Sequence, residues 1–301
     1  MAIVGGGPAG ISLALLLADA PINVVLLESG NMEFDEKTQA LYQGKIVDAD
    51  YQPLDAVRLR YLGGSSNHWG GWSRPLDEAD FLKRDWMPYS GWPITRKDLL
   101  PYFAKAQSLA EAGPYLYDGV KKSLPEAEVT LGAGGVDTRW FQFSKMRGDV
   151  LPTHFGERYA GDLKHVRRLK TFLNANVTKM HLAADGSRLE RLDVATLNGK
   201  RFTVKAKYVV MALGGIENPR LLLASNDVHK QGIGNQNDMV GRFFADHPVP
   251  RDVGTLVLFD GRLPHYYLDT QTIRGIVMRA SFTPRESYRL QHPVMGSQTT
   301  V

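Results

Sequence analysis

Ala2-Ile3-Val4-Gly5-Gly6-Gly7-Pro8-Ala9-Gly10 opens the chain and runs into the apolar stretch Ile11 to Ala18. Gly5, Gly7 and Gly10 make a G-x-G-x-x-G turn between a short apolar strand and a helix, and Pro8 and Ala9 fill its remaining positions. Such a turn lets backbone N–H groups and a helix N-terminus meet a pyrophosphate. A second apolar strand, Asn23-Val24-Val25-Leu26-Leu27, ends on Glu28, about 20 residues further on. A carboxylate there accepts hydrogen bonds from both ribose hydroxyls and repels a 2′-phosphate. The pattern therefore predicts an α/β, Rossmann-like domain for an unphosphorylated adenosine dinucleotide, FAD or NAD rather than NADP. The alternative is a glycine turn that merely starts a helix, and it leaves Glu28 unexplained.

The rest of the composition sets bounds. A chain of 301 residues with 43% hydrophobic content can bury one large or two medium cores. The net charge of +4 is a small excess of 36 basic over 32 acidic residues. The densest basic run, Lys164 to Lys170, reads as a solvated face, so no nucleic-acid partner is expected. There are 0 cysteines, which excludes disulfides, thiolate nucleophiles and a redox-active cysteine pair. No metal site is expected either: His154, His165, His181, His229, His265 and His292 lack ligand spacing and read as surface residues. No apolar run is long enough to cross a bilayer, and the compartment stays open, with the cytoplasm favoured over the periplasm. The strand before Gly5 is shorter than the usual ~5–6 residues, so the chain reads as clipped at its start.

In chain order, Ser29-Gly30 makes a turn that passes close to the ribose. The segment Arg58 to Pro75 contains Gly63-Gly64-Ser65-Ser66-Asn67-His68-Trp69-Gly70-Gly71-Trp72. This composition suits close backbone approach to a flat ligand, with the polar groups for hydrogen bonds and tryptophan as a wall. Helices are expected over Asp77–Trp86, from a Thr95 cap to Ala112, over Gly156–Leu169 and over Glu217–Ala224 with Pro219 in its first turn. Strands are expected over 171–180, over 189–197 and 201–205 around the hairpin signal Asn198-Gly199, and over 207–213. That last strand runs through Ala212 into Gly214-Gly215, a second strand–glycine–helix turn that points at the same crevice. The domain reading is a discontinuous nucleotide-binding domain of 1–75 and 151–245, an insertion of 76–150 including the glycine-rich Leu131 to Gly135, and the start of a substrate domain at 246–301.

These motifs together resemble the glucose–methanol–choline (GMC) flavin oxidoreductases. The match runs from the first turn through 63–69, Gly91-Trp92-Pro93-Ile94-Thr95, Ala212-Leu213-Gly214-Gly215-Ile216-Glu217-Asn218-Pro219-Arg220-Leu221-Leu222 and Gly241-Arg242…Asp246-His247-Pro248. The His-Trp after Gly-Gly-Ser-Ser is most similar to the bacterial sugar dehydrogenases and pyranose 2-oxidase. The resemblance implies the glutathione-reductase-like FAD fold with a discontinuous cap domain, incomplete here, and hydride transfer from a sugar, glycoside or other alcohol to flavin N5. It implies FAD held by Gly5, Gly7, Pro8, Ala9, Gly10, Glu28, Ser29, Arg60, Gly63, Gly64, Ser65, Asn67, His68, Trp69, Gly70, Val177, Ala212, Gly214 and Asn218. Within that set Glu28 takes the adenosine ribose, Val177 lies near the adenine and 63–71 lie beside the isoalloxazine. His68 is read as a flavin contact, with a covalent link as the lesser alternative.

The family's catalytic histidine pair is expected beyond Val301, so the catalytic residues are unassigned and the chain as given is expected to be inactive. The electron acceptor (oxygen, a quinone or a cytochrome) is open. His247 is a lesser candidate for a substrate cavity, and Trp69, Trp72, Trp86 and Trp92 read as core before substrate platform. The competing functions are an NAD-dependent dehydrogenase and a nucleotide-binding fragment without catalysis.

Overall fold

A computed structural model describes residues 1–47, 51–117, 120–123, 135–144, 152–247, 249, 254–258 and 262–300. In chain order its strands are β1 (Ala2–Val4), β2 (Val24–Leu27), β3 (Trp72–Ser73), β4 (Val136–Phe143), β5 (Leu169–Phe172), β6 (Asn176–Leu182), β7 (Leu189–Ala195), β8 (Arg201–Val204), β9 (Val209–Met211), β10 (Gln271–Ile273) and β11 (Ile276–Pro284). Its helices are α1 (Pro8–Leu16), α2 (Glu36–Gln39), α3 (Arg96–Leu109), α4 (Val120–Ser123), α5 (Phe155–His165), α6 (Gly214–Ala224), α7 (His265–Leu268) and α8 (Glu286–Gln291). The chain forms two units, Met1–Trp69 with His154–Val249, and Gly70–Thr153 with Pro250–Val301. No helix among the described residues is long and apolar enough to cross a membrane.

The first unit is built on a parallel sheet of order β5-β2-β1-β9. The strand starting at Ala2 pairs in register with Val25 on one side and Val209 on the other. β1 is wholly buried and β2 nearly so, which suits the middle of a parallel sheet, whereas β5 and β9 are only partly buried. A second, antiparallel sheet, β6-β7-β8, carries the hairpin, with Gly199 at φ +86° in its turn. Ala2, Val4, Leu27, Met180, Leu192, Val194 and Leu221 form one core between the two sheets and α6. Each of its valine, leucine and methionine side chains contributes about 1.5–3 kcal/mol on burial.

The second unit has an antiparallel sheet, β10-β11-β4-β3, over a core of Val120, Trp140, Tyr267, Ile276, Met278, Ala280 and Phe282. The pairing of β4 with β11 draws 76–150 and 246–301, read as separate pieces from the sequence, into one sheet. The capping box predicted at Thr95 forms: its side chain accepts from Asp98 N–H, while Asp98 accepts from the Thr95 backbone.

Four local expectations change. The helix expected over 77–86 is only a 3₁₀ turn at Glu78–Asp80, because Asp77 and Asp80 are drawn into ion pairs with Arg289. The helix expected to reach Leu169 ends at His165, where Val166 turns extended (ψ 110°) and leads into β5. The strand expected over 171–180 is broken at Asn174, whose φ is +56°, so β5 joins the parallel sheet and β6 the antiparallel one. Finally, α6 begins at Gly214, which places Pro219 in its second turn. The Leu131–Gly134 stretch lies outside the described residues.

Asp77 is the electrostatic centre of the second unit. It meets Arg74 at 2.9 Å, Arg289 at 3.0 Å and Arg139 more closely still, and the Arg289 side chain is 0% exposed. Burial alone would raise the Asp77 pKa, but Arg139, Arg74 and Arg289 together hold it below the ordinary aspartate value. A carboxylate depressed in this way stabilises fully above its unfolded value and loses that stabilisation as pH falls through the folded one. Asp77→Asn should therefore destabilise the protein by about 3–5 kcal/mol at neutral pH, because it leaves buried guanidinium groups uncompensated. Urea unfolding checks this, and an unchanged midpoint would show that the node is not structural.

Candidate functional site

The glycines of the first turn divide into two kinds. A Cβ at Gly10 would lie 1.9 Å from the Gly5 carbonyl oxygen, and one at Gly5, where φ is +106°, would lie 2.4 Å from that of Ala212. These two let α1, β1 and the turn after β9 touch backbone to backbone. A Cβ at Gly7 would meet nothing within 4 Å, so Gly7 borders open space at the start of α1. Gly7 is the residue before that helix, and no side chain caps it there. An uncapped N-terminus that begins with a glycine is what an anion needs.

The turn after β9 repeats the arrangement. Gly214 (φ +86°) and Gly215 also face open space, and α6 likewise has no side-chain cap. Asn218 turns back on this loop, accepting from Leu213 N–H at 3.0 Å, so it holds the turn in shape. Because β1 and β9 are parallel neighbours, the two glycine turns lie side by side at the same sheet edge.

Glu28, 5% exposed, is engaged before any ligand arrives. Its Oε2 accepts from Gly6 N–H at 2.7 Å and its Oε1 from Gly30 N–H at 2.7 Å, with the Ser29 hydroxyl at 3.4 Å. An ionised carboxylate has about four acceptor positions and these donors take three of them, which leaves one for a ribose hydroxyl. Gly30 has no room for a side chain, since a Cβ would lie 2.1 Å from the Arg60 carbonyl oxygen.

The 63–69 loop lies over this cradle. Gly63 (φ +100°) donates its N–H to Gly6 O at 2.8 Å, and the Cβ position of Gly64 is 3.2 Å from Gly7 Cα. Ser66, passed over in the sequence reading, is its buried pin: its hydroxyl donates to Gly63 O at 2.7 Å and accepts from Phe155 N–H at 3.1 Å. Asn67 folds back to donate to Leu62 O at 3.0 Å. Ser65 and His68 are exposed. Although the residue is exposed, local desolvation lowers the His68 imidazole pKa from its ordinary value. Trp69 packs edge-on to Phe155 with centroids 6.1 Å apart. Gly70 falls in the second unit. Val177 packs against the first unit's core. His247 is 99% exposed and next to Asp246, which accepts from the Tyr51 hydroxyl at 2.7 Å.

Two further groups were not legible as a site. Arg58, Arg60 and Arg220 converge on buried Glu217 at 3.0, 3.6 and 2.7 Å. His181, read as a surface residue, lies 2.6 Å from Asp193 and 3.5 Å from Asp227. Arg220 is three residues from Glu217 on the same helix, but Arg58, Arg60 and Asp227 come from distant parts of the chain, and no spacing signals them.

A parallel sheet with two glycine-led helix N-termini at its carboxyl end, and an acid at the end of β2, is the arrangement of the Rossmann-like fold. No family model matches the chain. It is 24% identical to the 2-methyl-1,2-propanediol dehydrogenase of Mycolicibacterium austroafricanum, over 99% of this chain and 65% of that protein. It is 26% identical to an oxygen-dependent choline dehydrogenase of Staphylococcus epidermidis, over 81% of this chain and 51% of that protein. Among solved structures, pyridoxine 4-oxidase from Mesorbium loti shares the fold with a TM-score of 0.51 and 22% identity, over 74% of this chain and 51% of that one. The resemblance to the glucose–methanol–choline oxidoreductases thus stands along most of the sequence. The chain spans between half and two thirds of the length of these relatives.

The division of the glycines makes a test that needs no ligand. Gly10→Ala should lower stability by about 1–3 kcal/mol or more through the clash with Gly5. Gly7→Ala, which meets no clash, should lower the melting temperature of the ligand-free protein much less than Gly10→Ala. Equal melting temperatures for the two variants would contradict the assignment.

Proposed function

We propose that the chain is the FAD-binding part of an oxidoreductase that acts on CH–OH groups of a small alcohol, sugar or glycoside. The observation that carries this reading is the pair of open glycine turns, Gly5–Gly7 and Ala212–Gly215, side by side at the edge of the parallel sheet. The residues fit the cofactor: open space at Gly7, Gly214 and Gly215, an acid with acceptor capacity to spare, and a glycine-rich loop laid on the cradle. When bound, FAD supplies a hydride acceptor at N5.

The chain's own residues do the remaining work. Gly7 and the start of α1 receive the pyrophosphate. Glu28 accepts the ribose hydroxyls and disfavours a 2′-phosphate. The 63–69 loop, pinned by Ser66, walls the crevice, which favours FAD over NAD because NAD leaves that wall without a partner. His68, exposed on the loop, is a flavin contact, and a covalent bond from it to the flavin is the alternative. The relatives that oxidise a diol and choline support a small-alcohol substrate, and the His68-Trp69 pair keeps sugars in the class. The electron acceptor is a separate question.

Titrating the chain with FAD and following the quenching of flavin fluorescence tests the proposal. Glu28→Ala should weaken binding by about 1–3 kcal/mol, the cost of unpaired hydrogen-bonding groups. Gly7→Val should abolish binding while the fold is kept. Unchanged affinity in both variants would place the cofactor elsewhere. Acid denaturation then decides the state of His68: the contact reading expects all the flavin to be released, and fluorescence that stays with the chain would establish the covalent link.

A further inference from the structure

The Glu217 node bears on which nucleotides this cradle admits. Glu217 is buried on the first turns of α6 and takes three arginines: Arg58 at 3.0 Å, Arg60 at 3.6 Å and Arg220 at 2.7 Å. The guanidinium groups of Arg58 and Arg60 both lie over the Tyr42 ring, at 3.9 and 4.6 Å from its centroid. Arg60 also donates to Asn176 Oδ1 at 3.4 Å, and its Nε is buried without a partner.

The node adjoins the Glu28 end of the cradle. The Arg60 backbone lies against Gly30, whose N–H is held by Glu28. The Tyr42 hydroxyl has its pKa raised, chiefly by burial, and the charge of Glu28 adds to that rise. An arginine near the ribose is a common means of accepting a 2′-phosphate, and the Arg60 backbone already reaches Gly30 at that end of the cradle. Here a carboxylate occupies Arg58 and Arg60.

Resting on the reading of this site as a dinucleotide cradle, we propose that Glu217 is a specificity-determining residue. By engaging Arg58 and Arg60 it stops them from offsetting the repulsion of a 2′-phosphate by Glu28. The cradle thus excludes phosphorylated dinucleotides through two acids, one on the ribose and one on the arginines. A purely structural role for Glu217 would change the affinity for all dinucleotides alike. The proposed role changes the ratio between those with and without the phosphate.

The test is competition of NAD and NADP, which differ only in the 2′-phosphate, against FAD bound to the 301-residue chain. In Glu217→Gln the preference for NAD over NADP should shrink by about tenfold or more, because one acid is removed and three arginines stay. Arg60→Gln should move the ratio the other way, by about threefold or more, and decides the matter if Glu217→Gln does not fold. In Arg58→Gln with Glu217→Gln, which keeps the net charge, the ratio should return toward that of the unaltered chain. If FAD binds and the ratio stays within twofold in every variant that folds, this inference is overturned while the cofactor assignment stands. If the unaltered chain binds no FAD, both fall.

Discussion

The first unit depends on one buried carboxylate bridging two backbone amides. Glu28 ends β2, and its two oxygens take the N–H groups of Gly6 and Gly30 at 2.7 Å each. A charge with so little exposure is tolerable only when paired or hydrogen-bonded. These bonds tie the turn after β1 to the turn after β2. Gly30 then lets the Arg60 backbone cross it, which brings the 63–69 loop to Gly6 and Gly7. The same oxygens that hold the cradle together keep an acceptor position for a ribose hydroxyl. Structure and recognition share one side chain, so a substitution at Glu28 alters both, and the glycine variants are the cleaner probes.

Each unit also centres on a buried ionic node with more arginines than acids. In the second unit Asp77 and Asp80 join Arg74, Arg139, Arg84 and Arg289, which fastens the turn at Glu78–Asp80 to β4 and α8. In the first, Glu217 fastens α6 to the 58–62 segment. Buried pairs of this kind are costly to desolvate and costly to break. Their net effect is to define which segments lie together. In the first unit those segments are the two that border the cradle.

What the sequence discloses depends on how local its physics is. The Gly5–Gly10 turn, Glu28 at the end of β2, the capping box at Thr95 and the hairpin at Asn198-Gly199 are each settled by residues within a few positions of one another, and each was legible. The failures have non-local causes. The segment 77–86 has helical spacing, but its acids are claimed by Arg289, more than 200 positions away. The break at Asn174 sends β5 and β6 to different sheets, and the strand partners that make this possible lie far along the chain. Glu217 stands at the start of an expected helix, and only the approach of Arg58 and Arg60 gives it a further role. Ser66 and Ser65 are equivalent as letters; only the structure shows that Ser66 is the pin and Ser65 is exposed.

The central claim is that two separate glycine turns form one nucleotide cradle. Hydrogen exchange of the chain with and without FAD measures this most directly, because amides that meet the cofactor lose exchange with water. Peptides covering Gly5–Ile11 and Leu213–Asn218 should slow together on addition of FAD, while the hairpin strands β7 and β8 keep their rates. Slowing at neither turn, or at one without the other, would contradict the account.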